Sequence, residues 1–413
     1  MGRRVVVTGL GLVTPVGTGV AKTWDGLCKG KSGVGPITRF DASEHAVKIA
    51  AEVDDFQVTD YVDAKAAKHL DLFVQYALGA AQMAIDDSGF VISDENGPRV
   101  GSIVGCGLGG LPTIEKYHKI ALDRGPRRIT PFFIPMVIPN MGAGQISIFH
   151  KTKGPNMSTT TACAAGTHAV GEAFRSIAGG FCDVAFTGGS ESVVCPLAVG
   201  GFNSMKALSK RNDDPTRASR PFDKDRDGFI ISEGAGILIL EEMEHAKARG
   251  AKIYAEMAGY GLSGDGYHIA APPEDGDGAV RCMEMALNDA GMNPEDIDYI
   301  NAHGTSTPLN DVVETRAIKK VYGDHAEKLA ISSTKSMTGH MLGGAGGIEA
   351  VFTALSLHHQ VAPPTMNLEN PGPECDLDYV PGVARDMAMR AAMSNSFGFG
   401  GTNGVIIMKR FEG

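Results

Sequence analysis

The sequence predicts an α/β protein built from two halves of like topology, and three observations carry that prediction. Short β-branched or apolar runs alternate with helical stretches rich in alanine. Glycine makes up 54 of 413 residues, well above the usual ~7%, so tight turns and close backbone contacts are expected. Segments of the first part also recur, in the same order, in the second. Residues 84–90 echo 286–292, and residues 100–107 line up with 297–304. The helix after Cys163 has a counterpart at 342–357, and residues 233–240 echo 401–408. The halves run roughly 1–250 and 251–413, with the insertions in the first. Two half-sheets packed through shared buried helices would bury both faces of each sheet.

In chain order, residues 4–8 read as a buried strand. The following Gly9-Leu10-Gly11 run imitates a dinucleotide loop but has Thr14 where the third glycine belongs. Residues 72–87 form a helix with Phe73, Tyr76, Ala77, Ala80 and Ala84 on one face. Gly105 to Gly110 follows a strand at 100–104 and fits the GxGxxG pattern formally, but the helix after it is weak and Asp123 comes too early for a ribose ligand. A glycine-rich strand end lining a cleft is the preferred reading. Residues 111–154 are expected to be irregular, with the apolar stretch 130–135 serving as core or interface. Residues 158–161 read as a strand end. From Ala164 the spacing is helical (Ala169, Ala173, Phe174, Ile177) up to Gly179-Gly180, and a strand follows at 183–187. Asp223 to Gly228 mimics a calcium loop, but position 12 is Gly234, with Glu233 one place early, so it reads as a solvated turn.

The net charge of −10 argues against general nucleic-acid binding. Seven cysteines without a CxxC pair suit reduced thiols better than a disulfide framework or a zinc site. No apolar run has signal-peptide or transmembrane character. A cytoplasmic, soluble protein is expected.

Cys163 sits where an extended segment meets the first turn of a helix. Free N–H groups and the positive dipole end there favour a thiolate nucleophile. Alone, Cys163 reads better as a buried, inert thiol. Its company changes the balance. His303 lies on the turn after a strand, and His340 precedes a buried helix, five residues after Lys335. The duplication directs both histidines toward the same cleft. The turn at 395–403 can aim backbone N–H groups into a site, as an oxyanion hole requires.

Thr161-Ala162-Cys163-Ala164-Ala165-Gly166, Ala302-His303-Gly304-Thr305-Ser306-Thr307, Lys335-Ser336-Met337-Thr338-Gly339-His340 and Asn395 to Asn403 together resemble the β-ketoacyl-[acyl-carrier-protein] synthases. The likeness runs over the whole chain and looks nearest to the chain-elongating type II class. It implies the thiolase fold in a five-layer αβαβα arrangement, a homodimer, and fatty-acid elongation by decarboxylating condensation. His340, where initiating synthases carry Asn, implies the Cys-His-His class. By resemblance, Cys163 takes the acyl group, and the N–H groups of Cys163 and Phe399 hold the oxyanion. His303 and His340 stabilise the enolate as neutral donors. Lys335 tunes their field, pairs with Glu349, or both. Thr305 and Thr307 would bind the phosphopantetheine arm, which arrives on the carrier protein; no metal or dissociable cofactor is implied. Leu108, Phe202 and Phe399 would line an acyl tunnel, with Phe133 and Ile134 donated across the dimer, and medium to long chains are expected. The basic clusters Lys65 and Lys68, Arg124, Arg127 and Arg128, and Lys206, Lys210 and Arg211 would dock an acidic acyl carrier protein. Three other readings stand beside this one: a polyketide-type ketosynthase, a non-catalytic chain-length subunit, and a nicotinamide oxidoreductase using Gly105 to Gly110.

Overall fold

The computed structural model describes residues 2–413. Eleven strands form the main sheet: ten in one continuous order, and the two-residue strand Gly17–Thr18 paired onto the end of the first. The first five of the ten are β1 Val5–Thr14, β2 Val100–Gly105, β3 Asn156–Met157, β4 Val184–Glu191 and β5 Gly234–Glu242. The second five are β6 Ala255–Gly264, β7 Tyr299–Asn301, β8 Ala330–Ser332, β9 Ala391–Gly398 and β10 Thr402–Lys409. Six helices matter for the architecture: α1 Leu72–Ser88, α2 Met141–His150, α3 Ala165–Ala178, α4 Asp277–Ala290, α5 Asn310–Tyr322 and α6 Ala345–His359.

The strand order is β8-β7-β9-β10-β6-β1-β5-β4-β2-β3. Read outward from the middle, the first half runs 1-5-4-2-3 and the second 6-10-9-7-8, the same order with five added. Parallel and antiparallel pairings match as well: β4 with β2 and β9 with β7 are parallel, while β5 and β10 run antiparallel to both neighbours. The halves are not separate sheets. β1 and β6 pair antiparallel through Val5–Met257, Val6–Glu256 and Val7–Ala255, at the pseudo-two-fold axis.

Three apolar cores separate the layers. One lies between α1, α2 and the first half-sheet, and one between α4, α5 and the second. The central core holds α3 and α6, which touch strands of both halves. That is the expected five-layer stack. The central helices approach closely because they meet at glycines: a Cβ on Gly166 would lie 2.5 Å from the Gly347 nitrogen.

Several local expectations need correction. β1 continues through Thr14, so Gly9 and Gly11 lie within a strand. Their missing side chains seat α1, since a Cβ on Gly11 would meet the Ala80 carbonyl oxygen at 1.9 Å. Residues 111–154 are mostly helical, with helices Leu111–Arg124, Phe133–Val137 and α2. Pro112 sits in a first turn, where its absent N–H is no loss. Residues 158–161 are not a strand; the strand ends at Met157. The 223–228 segment is not a solvated turn. Asp223 is fully buried and accepts hydrogen bonds from Arg220 and from the backbone of Asp225, Glu369 and Asn370. Among the described residues no acidic, Cys or His cluster is arranged to hold a metal ion, and no helix is long and apolar enough to cross a membrane.

Candidate active site

Cys163 lies in the one-turn 3-10 segment Ala162–Ala164 that leads into α3. The duplicate segment Leu342–Gly344 leads into α6. Both open on a residue with positive φ, Ala162 at 49° and Leu342 at 48°, so Cys163 and Gly343 are equivalent positions. Gly343 cannot carry a side chain: a Cβ there would lie 2.0 Å from the Gly107 nitrogen. The duplication therefore keeps a cysteine at this position in one half only.

His340 precedes the second turn and is anchored to the 229–232 segment through its own N–H to Ile230 (2.7 Å) and its carbonyl to Ser232 (3.1 Å). Its Nε2 lies 3.0 Å from the Cys163 sulfur. His303 follows β7. Its ring is 5.4 Å from that of His340, near perpendicular. The Glu314 carboxylate on α5 accepts the backbone N–H groups of His303 and Gly304, both at 2.8 Å, and is itself steadied by Asn395. Glu314 lies eleven residues downstream of the histidine it serves, and Asn395 comes from β9. Sequence spacing carries no signal for that convergence.

Cys163, His303 and His340 are almost fully buried. Burial pushes the Cys163 thiol up to about 12, against smaller opposing effects from Lys335 and the Phe399 backbone N–H. The expected resting thiolate is thus corrected. Val193, Phe229, Leu342 and other apolar neighbours remove more solvation than a helix end returns. Burial holds His303 and His340 well below the ordinary imidazole range, with Lys335 adding to the effect at both rings. The neutral imidazole of His340 therefore contacts the sulfur, with a second neutral imidazole, His303, beside it. Lys335 forms a buried ion pair with Glu349 and does not line the cavity; its influence on the site is through its field.

The three groups open into a cavity of about 300 Å³, also lined by Phe202, Lys206, Thr305, Thr307 and Phe399. The Thr305 and Thr307 hydroxyls are 2.9 Å apart. Arg226 donates to the carbonyls of Thr307 and Pro308, so the false calcium loop is a brace for the cavity mouth. Phe399 tips the hairpin between β9 and β10, whose Gly400 and Gly401 have φ of 83° and 68°. Leu108, Phe133 and Ile134 do not line this cavity; Leu108 and Ile134 are exposed on the single chain. Lys65, Lys68, Arg124, Arg127, Arg128 and Lys210 are exposed, and Arg211 is half-buried. His69 stacks on Phe132 at 3.8 Å, which sets the Lys65–Lys68 turn beside the segment carrying Arg127 and Arg128.

The Gly105 to Gly110 turn has no amides left for a pyrophosphate. Glu191, fully buried, accepts the N–H groups of Gly107 (2.7 Å), Leu108 (3.2 Å) and Gly109 (3.2 Å). A phosphate there would meet a carboxylate.

Comparison with known proteins agrees with this geometry. The family models described as Beta-ketoacyl synthase, N-terminal domain and C-terminal domain, match residues 2–246 and 254–369. A 3-oxoacyl-[acyl-carrier-protein] synthase 2 of Synechocystis sp. is 55% identical over 410 residues, 99% of each chain. One of Coxiella burnetii is 54% identical over 408 residues, again 99% of each. A solved structure of a type II PKS acyl-carrier protein in complex with its ketosynthase has a similar chain, with TM-score 0.90, 36% identity and 100% of both chains covered. The duplicated sheet, its shared central helices and these matches have one common explanation: the fold is thiolase-like, and this chain belongs to the β-ketoacyl synthase family.

Proposed function

We propose that this protein condenses acyl-[acyl carrier protein] with malonyl-[acyl carrier protein], giving 3-oxoacyl-[acyl carrier protein], CO2 and free carrier protein, in fatty-acid chain elongation. The observation that carries the reading is the 3.0 Å contact between the Cys163 sulfur and His340, with His303 beside it and both rings neutral.

In the first half-reaction the Cys163 sulfur attacks the acyl thioester. The Cys163 and Phe399 N–H groups hold the oxyanion, and the sulfur's proton leaves on the departing phosphopantetheine thiol. In the second, the malonyl thioester loses CO2. His303 and His340 donate to the enolate oxygen, which a neutral N–H stabilises without surrendering its proton. The enolate carbon attacks the acyl-Cys163 carbonyl. Collapse expels the Cys163 thiolate, which takes a proton from solvent. Every group used belongs to the chain or its substrates, so neither metal nor dissociable cofactor is needed.

Thr305 and Thr307 at the cavity mouth suit the amides of the phosphopantetheine arm, and Lys206 beside them begins the basic docking surface for the carrier. The protein would act in the cytoplasm as a homodimer, and the outer edge suits that assembly. There β3 has no further strand beside it, and Ile148, Phe149, Met157, Phe132 and Ile134 are exposed. An apolar face beside an open strand edge is what a second copy would cover. Leu108, Phe133 and Ile134 would then complete the acyl tunnel, and Leu108→Phe should slow long acyl donors more than short ones.

The test is direct. Mix the protein with acyl carrier and malonyl carrier, then follow acylation of Cys163 by mass spectrometry and release of CO2. Both are expected in wild type and acylation is lost in Cys163→Ala. A silent chain-length subunit would show neither, and consumption of a nicotinamide cofactor without an acyl-enzyme would overturn the reading.

A further inference from the structure

His168 takes no part in the chemistry above, yet it is nearly fully buried and bonded at both ring nitrogens. Its Nδ1 lies 2.6 Å from the Thr161 hydroxyl and its Nε2 lies 3.0 Å from the Asn403 carbonyl. A carbonyl only accepts, so Nε2 carries the hydrogen. Nδ1 is then the acceptor for the Thr161 O–H. The imidazole thus crosslinks two stretches of backbone. Thr161 stands two residues before Cys163, and Asn403 four residues after Phe399.

The surroundings are fitted to this crosslink. Gly404 leaves room for the ring, since a Cβ there would come within 2.9 Å of it. Gly398 lets the hairpin approach, because its Cβ would lie 3.0 Å from the Thr161 carbonyl oxygen. The neighbouring Thr167 hydroxyl bonds to that of Ser396 at 2.7 Å. The start of α3, which carries the sulfur, is therefore tied to the β9–β10 hairpin, which carries the Phe399 amide.

We infer that His168 is a positioning residue: it holds the Cys163 turn and the Phe399 turn in the one spacing at which their two amides meet a single oxyanion. This rests on the oxyanion role given to those amides above. A loosened spacing penalises acyl transfer, which uses both turns. It leaves CO2 release from malonyl carrier supplied alone, which draws on His303 and His340.

The experiment compares single-turnover acylation of Cys163 with CO2 release from malonyl carrier in His168→Leu and in Thr161→Val. The second variant removes only the donor to Nδ1 and preserves shape, should the first fold poorly. Acylation is expected to slow by roughly ten- to a hundredfold, the scale of a misplacement of about 1 Å. The KM for acyl carrier should stay within about twofold, and CO2 release near wild type. His168→Gln, able to donate and accept at once, should recover part of the loss. Acylation at the wild-type rate in both variants, or CO2 release falling in step with it, overturns the inference while Cys163→Ala remains inert. If Cys163→Ala still took up the acyl group, the reading beneath would fall first.

Discussion

At Cys163 two effects of opposite sign meet, and their sizes decide the outcome. A helix end contributes about 1 kcal/mol or less toward an anion, whereas burying one in apolar surroundings costs several. The thiol stays protonated at rest, pushed up to about 12. Its reaction with iodoacetamide should therefore rise about tenfold per pH unit from 7 to 9, because the thiolate fraction grows with hydroxide throughout that range. A plateau by pH 8 would show a preformed thiolate. His303 and His340 are shifted the other way, so they stay neutral as the pH falls through the ordinary imidazole range. CO2 release should hold its rate down through pH 6.5, measured by stopped assay. His303→Ala and His340→Ala should each lower that rate by roughly 10²- to 10³-fold, the usual loss of one oxyanion donor.

At the level of elements, glycines set the distances between layers. Gly11 on β1 lies so near α1 that Gly11→Ala forces the strand and helix apart. Overpacking of this kind typically costs 1–3 kcal/mol, occasionally more, so the melting temperature should fall or folded protein should fail to accumulate. Gly200 makes the contrast. It lies in the helix Pro196–Ser204 with nothing within 4 Å of an added Cβ, and Gly200→Ala should be neutral or stabilise by up to about 1 kcal/mol. Equal effects from the two would mean that close packing at β1 is not what Gly11 provides.

For the whole molecule, the proposed carrier would be an acidic partner for a chain of net charge −10, and local basic clusters would offset the general repulsion. Arg127→Glu with Arg128→Glu should raise KM for carrier-bound substrate roughly tenfold. The rise should shrink with salt, because screening acts on the encounter, and kcat should hold. An unchanged KM would move docking elsewhere. The proposed dimer predicts a dimeric mass by light scattering for the wild type and a monomeric one for Ile148→Asp, placed on the exposed apolar face; a monomeric wild type would overturn it.

Much of this was legible in the sequence. The repeat of residues 84–90 at 286–292 and of 233–240 at 401–408 determined a duplicated α/β fold, because a repeated pattern of buried positions must fold alike twice. The corner position of Cys163 followed from local spacing, and the convergence of the two histidines from the duplication. What only tertiary structure decided were sums over neighbours distant in the chain. The proton on Cys163 depends on Val193, Phe229 and Leu342 around it. The place of His303 depends on Glu314 and Asn395, and the brace at the cavity mouth on Asp223 and Arg226, which read locally as a solvated loop. Solvation and long-range hydrogen bonding are properties of the packed interior, and no window of sequence contains them.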